Sequence, residues 1–228
     1  MIDNLIAGLD CTGESFGAAV LRDGVCLAEA GGFTPRSHLR LFFPALVECL
    51  QRYDLKVSDL SAIAVTAGPG SFTGVRLGVV TARTLAQVHG CQLIPVDALE
   101  ALALNAPGIP VVMAGFDARR GEIFGAFFDT TGEYPKRLTE DSVFTPQQCL
   151  EAMRENDCLA ALGSAVTRYA SVLGQCEGVS LLPDILAQIR GSQVARLGIK
   201  GLREGKTVSP FALDPIYLRA AEVQVQGK

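Results

Sequence analysis

Three short stretches carry residues that could handle an anion. Asp10, Thr12 and Gly13 stand where the apolar run Leu5 to Asp10 gives way to a turn. Two readings are open there: a phosphate loop in which Asp10 and Thr12 serve an ATPase or phosphotransferase, or a turn whose Asp and Thr bond the local backbone. The second stretch is Gly68-Pro69-Gly70-Ser71. Amides at a helix N-terminus attract anions. However, Gly68, Gly70 and Gly74 space one residue wider than the dinucleotide fingerprint, and no Gly-Lys-Ser/Thr follows as a P-loop requires. A plain strand-to-helix turn that needs glycine fits equally well. The third is Asp117-Ala118-Arg119-Arg120-Gly121, whose arginines suit a phosphate, an acidic partner or a solvated turn. The chain's two histidines, His38 and His89, share no motif that would grip a metal.

The elements that must position these residues can be read from periodicity. Ala62 to Ala67 is a short apolar run that suits a buried parallel strand. Ser71 or Thr73 can cap a helix running to about Val88. Along that helix Gly74, Gly78, Ala82 and Ala86 recur every four residues and form a stripe almost without side chains. Another helix backbone could approach it closely, a geometry best known from membranes. Val75, Leu77, Val79, Val80, Leu85 and Val88 make the rest apolar, so the helix is expected to be buried on two sides. One side faces its own sheet and the other a partner. An amphipathic helix over 36–53 places Leu39, Phe42, Phe43, Leu46, Val47 and Leu50 at i, i+3, i+4, i+7 spacing, with Pro44 a local disturbance. Leu39, Phe43, Val47, Gly74, Val75, Gly78, Val79, Ala82 and Ala86 are therefore the expected partner-binding residues. On that reading Gly78→Leu or Ala82→Arg breaks partner binding while the fold survives.

The remaining pattern is a topology used twice. Strands are expected at Leu5 to Asp10, Phe16 to Leu21 and Val25 to Ala30, with Asp23-Gly24 a hairpin turn. A strand at Cys91 to Val96 leads to Asp97, which can cap a helix through Leu104. Asn105 to Pro110 is a linker by composition. Strands then restart at Val111 to Phe116, Glu122 to Phe128 and Arg137 to Val143. A helix from Pro146 to Glu155 capped by Thr145, a strand at Cys158 to Leu162 and a helix from Ser164 to about Leu173 follow. Asp117 takes the place of Asp10 in this second copy. One helix is expected from Leu182 to Leu197, then a basic loop from Lys200 to Lys206 and an extended tail from Pro210. The division predicts an N-terminal lobe over 1–106 and a C-terminal lobe with the tail over 107–228.

Composition limits the function. The chain has 228 residues, 49% hydrophobic and 19% charged, with a net charge of −4. Disorder is excluded at that balance. A net negative chain is a poor stand-alone nucleic-acid binder, because phosphate contacts dominate that affinity. Seven cysteines with no C-x-x-C read as buried reduced thiols of a cytoplasmic protein. No basic leader opens the chain, and no apolar run reaches the ~20 residues of a spanning helix.

Four separated motifs, in order, resemble one family. Thr66-Ala-Gly-Pro-Gly-Ser-Phe-Thr-Gly-Val-Arg-Leu-Gly78 is similar to the signature of the TsaB (YeaZ) family, the non-catalytic paralogues of the threonylcarbamoyl transferase TsaD. Gly8-Leu-Asp-Cys-Thr12, Asp117-Ala-Arg-Arg120 and Pro215-Ile-Tyr-Leu-Arg219 extend the resemblance over nearly the whole chain. It implies an α/β, two-lobed actin/Hsp70-like ATPase (duplicated ribonuclease H-like) fold with a reduced second lobe. It implies a scaffold subunit that binds TsaD, and through it the ATPase TsaE, in placing threonylcarbamoyl on the adenosine beside the anticodon. tRNA contact would be only indirect, and the chain would form a homodimer when the partner is absent. The transferase's H-x-x-x-H metal pair falls on Ala98 and Leu102, which bind no metal. No cofactor is implied for the chain alone. Asp10, Thr12 and Gly13 read as a possible remnant of a nucleotide loop, with ATP or ADP open at the junction with the partner.

Overall fold

A computed structural model describes residues 5–34 and 38–218. The first half opens as an antiparallel meander of β1 (Leu5–Asp10), β2 (Ser15–Arg22) and β3 (Val25–Phe33). Helix α1 (His38–Gln51) leads to β4 (Ala62–Gly68), α2 (Phe72–His89), β5 (Gln92–Asp97) and the short α3 (Ala98–Ala103). The sheet order is β3-β2-β1-β4-β5, with β4 parallel to both β1 and β5. Side chains of β1 and β4 are buried on both faces, as a central parallel pair requires.

The second half repeats the plan. It consists of β6 (Val112–Arg119), β7 (Glu122–Asp129), β8 (Lys136–Arg137), β9 (Ser142–Phe144), α4 (Pro146–Glu155), β10 (Ala160–Leu162), α5 (Ser164–Leu173), β11 (Ser180–Leu181) and α6 (Gly191–Arg203). Its sheet order is β11-β10-β6-β7-β8, with β9 also on β7. Read from the other edge, this matches the first sheet. The expected strand from Arg137 to Val143 is instead two short strands, β8 and β9, both paired to β7. Between them the Phe127 amide bonds the Thr139 hydroxyl, a side chain where a strand would offer a carbonyl, while Arg137 at the end of β8 bonds Asp141 and the Thr139 carbonyl.

The expected helix from Leu182 to Leu197 is also corrected. Asp184–Ala187 makes one tight 3₁₀ turn, and α6 starts only at Gly191 and continues to Arg203. Gly198 does not end it. A Cβ there would lie 2.4 Å from Ala64 Cβ, so the glycine lets the helix lie flat on the first sheet. The basic stretch expected as a loop from Lys200 is therefore helical through Arg203.

Five layers result. α1 and α2 cover the outer face of the first sheet, and α4 and α5 cover that of the second. Between the sheets lie α3 and α6, sharing one apolar core with both. α6 comes from the second half of the chain yet packs on β1, β2 and β4. α3 comes from the first half and packs on β6 and β7 as well.

Candidate functional site: an interlobe cleft and an apolar helix face

A cleft of about 1310 Å³ opens between the two sheets, lined by Asp10, Thr12 and Ser71 on one side and by Asp117, Arg119 and Ser164 on the other. Asp10 ends β1 and is 1% exposed. Its Oδ1 accepts from the Thr12 amide at 3.2 Å, the Thr12 hydroxyl at 2.7 Å and the Thr66 hydroxyl at 2.7 Å. Oδ2 has no hydrogen-bond partner among the described residues. Burial pushes the Asp10 carboxyl above its usual range, and the bonds from Thr12 and Thr66 pull it back only in part. Burial thus makes the charged carboxylate costlier here than at an exposed aspartate. Gly13 follows in the connecting loop, half-buried. Sequence reasoning missed Thr66. Its one signal was a hydroxyl inside an otherwise apolar strand.

The second loop repeats the first in its backbone bonds. Asp117 Oδ1 accepts from the Arg119 amide at 3.0 Å, two residues on, as Asp10 does from Thr12. It also accepts from the Tyr169 hydroxyl at 3.1 Å. Arg119 and Arg120 have φ of +64° and +55°, left-handed angles that cost a non-glycine residue about 1–2 kcal/mol each. From that turn the Arg119 Nη2 reaches across the cleft to Glu14 Oε1 at 2.6 Å. Both side chains are largely in solvent, so the pair contributes little stability.

The glycine-rich turn forms the expected junction. Ser71 caps α2, its hydroxyl accepting from the Gly74 amide at 3.4 Å. The small-residue stripe, however, faces inward. Gly74, Val75, Gly78, Val79, Ala82 and Ala86 are all buried within the chain. A Cβ on Gly74 would lie 1.9 Å from the Cys11 carbonyl oxygen, and one on Gly78 3.5 Å from a Val65 methyl. These six residues serve the helix's approach to its own sheet and present no surface to a partner. Gly78→Leu and Ala82→Arg would therefore strike the core. Phe42 and Leu46 of α1 are likewise buried against the first sheet. Of the other expected partner residues, Phe43 is 42% exposed and Val47 is half-buried, while the side chain of Leu39 lies outside the described residues.

What α1 and α2 present outward is a different set. Val80 and Val88 of α2 are 56% and 69% exposed, and Leu41 accompanies Phe43 on α1. The tail borders this face. Ile216 donates its amide to the Ala67 carbonyl at 2.7 Å, and Tyr217 accepts from Arg76 Nε at 2.8 Å, with the guanidinium 3.8 Å over the Phe72 ring. The extended tail expected from Pro210 therefore packs back on the body through Leu218, while Arg219 lies outside the described residues. Ala98 and Leu102, the expected counterparts of the transferase's histidine pair, are fully buried in α3.

Two similar sheets with helices on their outer faces and a cleft between them define the actin/Hsp70-like ATPase class of α/β fold. The ADPNP-bound activator of the 2-hydroxyisocaproyl-CoA dehydratase from Clostridium difficile shares the architecture, with a TM-score of 0.50, 9% identity and coverage of 88% of this chain and 96% of that one. YeaZ from Pseudomonas aeruginosa fits far better, with a TM-score of 0.81 at 22% identity over 94% of this chain and 100% of that chain. The TsaD family, tRNA N6-adenosine threonylcarbamoyltransferase, matches residues 18–197. The tRNA threonylcarbamoyladenosine biosynthesis protein TsaB of Bacillus subtilis (strain 168) is 30% identical over 225 residues, 97% of this chain and 96% of that protein. The chain belongs to the TsaB (YeaZ) family, a branch of this wider group.

Proposed function

We propose that the chain is a non-catalytic scaffold subunit in tRNA threonylcarbamoyladenosine biosynthesis. It docks a TsaD-like transferase through the outer face of α1 and α2. The observation that carries this reading is the exposed apolar set Leu41, Phe43, Val80 and Val88 on two adjacent helices, in a chain whose relatives are named for that pathway. Apolar side chains left exposed on neighbouring helices suit an association surface. The same face pairs with itself when the transferase is absent. A TsaE-like ATPase joins through the complex. tRNA is held by the assembly rather than by this net acidic chain, which needs no cofactor of its own. ATP or ADP would sit at the junction between subunits. The chain works in the cytoplasm; among the described residues no helix is long and apolar enough to cross a membrane.

Sedimentation of the chain alone and mixed with the transferase tests this. A self-dimer that exchanges into a one-to-one complex is expected, and Val80→Arg or Phe43→Arg should weaken both by tenfold or more. A chain that ignores the transferase, or variants that bind it as the parent does, would overturn the assignment.

The second reading is an ATP-dependent phosphotransferase acting in the cleft. Its support is the unpartnered Oδ2 of Asp10 in a cleft large enough for a nucleotide. Against it stand the burial that disfavours a charged Asp10 and a second loop without the glycines of a phosphate cradle, in which Arg119 and Arg120 take left-handed angles. Calorimetry with ATP and magnesium on the chain alone separates the two. Heat that vanishes in Asp10→Asn would favour the enzyme.

A further inference from the structure

Two carboxylates share one guanidinium where the halves of the chain meet. Asp97 ends β5 of the first sheet and caps α3, its Oδ1 accepting from the Glu100 amide at 2.7 Å. Arg137 belongs to β8 of the second sheet and reaches Asp97 Oδ1 at 2.8 Å. The same guanidinium bonds Asp141 in the connection from β8 to β9 and lies over the Phe128 ring at 4.8 Å. The Asp97 and Asp141 side chains keep only 18% and 13% of their exposure. Neither the cleft nor the α1–α2 face involves this cluster.

The charges around it decide how it ionises. α3 supplies Glu100, which is bonded to Lys200 of α6 at 2.8 Å. Lys206, beyond the end of α6, feels Glu100 but is bonded to Glu204 at 2.6 Å. Tyr134 precedes β8 and lies against Lys200 and Arg196, with Glu133 and Arg203 acting on it. β4 offers Asp97 only Gly68 as its neighbour. Lys200 and Lys206 are thus committed elsewhere, which leaves Arg137 for both aspartates. Two carboxylates on one guanidinium in a half-dry site cannot both stay ionised cheaply, and a proton on Asp97, the one that caps α3, relieves the pair.

We propose that Asp97 is a proton-linked brace between the lobes: with a proton on Asp97, β5 and α3 stay tied to the β8–β9 connection that carries Asp141, and loss of that proton loosens the junction. The direction of the Asp97 shift agrees. Burial first, and then the Asp141 charge, raise Asp97 from 3.8 to about 7, while Arg137 and the Glu100 amide oppose them. Because the folded value lies above the ordinary one, folding takes up a proton between the two. The stabilisation is whole below the ordinary value, declines as pH rises beyond it and is lost above about 7. The junction is therefore tighter in mild acid than in mild alkali.

Carbon-13 NMR titration of the aspartate carboxyls in the full chain tests this directly. Asp97 is expected to titrate near neutrality in the parent and to move down by a unit or more in Asp141→Asn. Hydrogen-exchange protection of the Phe127 and Leu138 amides, which bond Thr139 and Phe127 beside the cluster, is the second readout. Corrected for intrinsic rates, it should fall severalfold from pH 6 to pH 8 in the parent and stay level in Asp97→Asn. Asparagine caps a helix as well as aspartate does, so α3 survives that change. An Asp97 that titrates in the usual aspartate range, or a pH dependence of protection that persists in Asp97→Asn, would overturn the brace.

Discussion

At the scale of single residues, Asp10 sets the character of the cleft. Among the described residues its Oδ1 takes three hydrogen bonds and its Oδ2 none. Asp10→Ala should destabilise the chain by about 1–3 kcal/mol, because the buried Thr12 and Thr66 hydroxyls lose their acceptor. Asp10→Asn keeps that acceptor and stays neutral at every pH. Since burial holds the parent carboxyl above its usual value, its contribution is whole below that value and fades as pH rises through the folded one. The asparagine variant should lose that part of the pH slope, as urea unfolding at pH 5 and pH 8 would read out. The Asp10–Thr12 turn was legible because both partners are two residues apart. Thr66 was not, since it comes within reach only when β4 pairs with β1 and Val65 stands opposite Leu9.

At the scale of elements, α2 shows what periodicity can and cannot say. The small-residue stripe was visible in the sequence, but a helix that is apolar all round does not disclose which side meets its own sheet. The deciding contact is long-range: the Gly74 backbone against the Cys11 carbonyl. Gly74→Ala should therefore cost about 1–3 kcal/mol by overpacking. Ala82→Arg, which buries a charge with no partner, should leave little folded protein. Val80→Arg points to solvent and should shift stability by no more than about 0.5 kcal/mol. Urea denaturation of the three side by side would separate core from surface. α6 failed in the sequence for a related reason. Gly198 resembles a helix end until the sheet beneath it is known, whereas the Thr145 and Asp97 caps were plain because a cap is local.

At the scale of the whole molecule, the duplicated order of strands was readable, and the exchange of helices between the halves was not. Nothing local announces that α6 returns to the first sheet. Residues 1–106 expressed alone should lack a cover for the inner face of β1, β2 and β4 and should show no cooperative thermal transition. Supplying residues 107–228 in the same cell should restore it. A sharp transition in the isolated fragment would show that the first sheet does not depend on α6.

The same crossing bears on how the chain is made. The last strand of the first sheet ends at Asp97, but the helix that seals it ends at Arg203, about 100 residues later. At a synthesis rate of ~5–20 residues per second, roughly 5–20 s pass at the ribosome with that apolar sheet half-covered. A nascent chain in that state is a natural client for whatever shields hydrophobic surface during translation. Its yield in the cell should depend on that shielding more than its final stability alone would suggest.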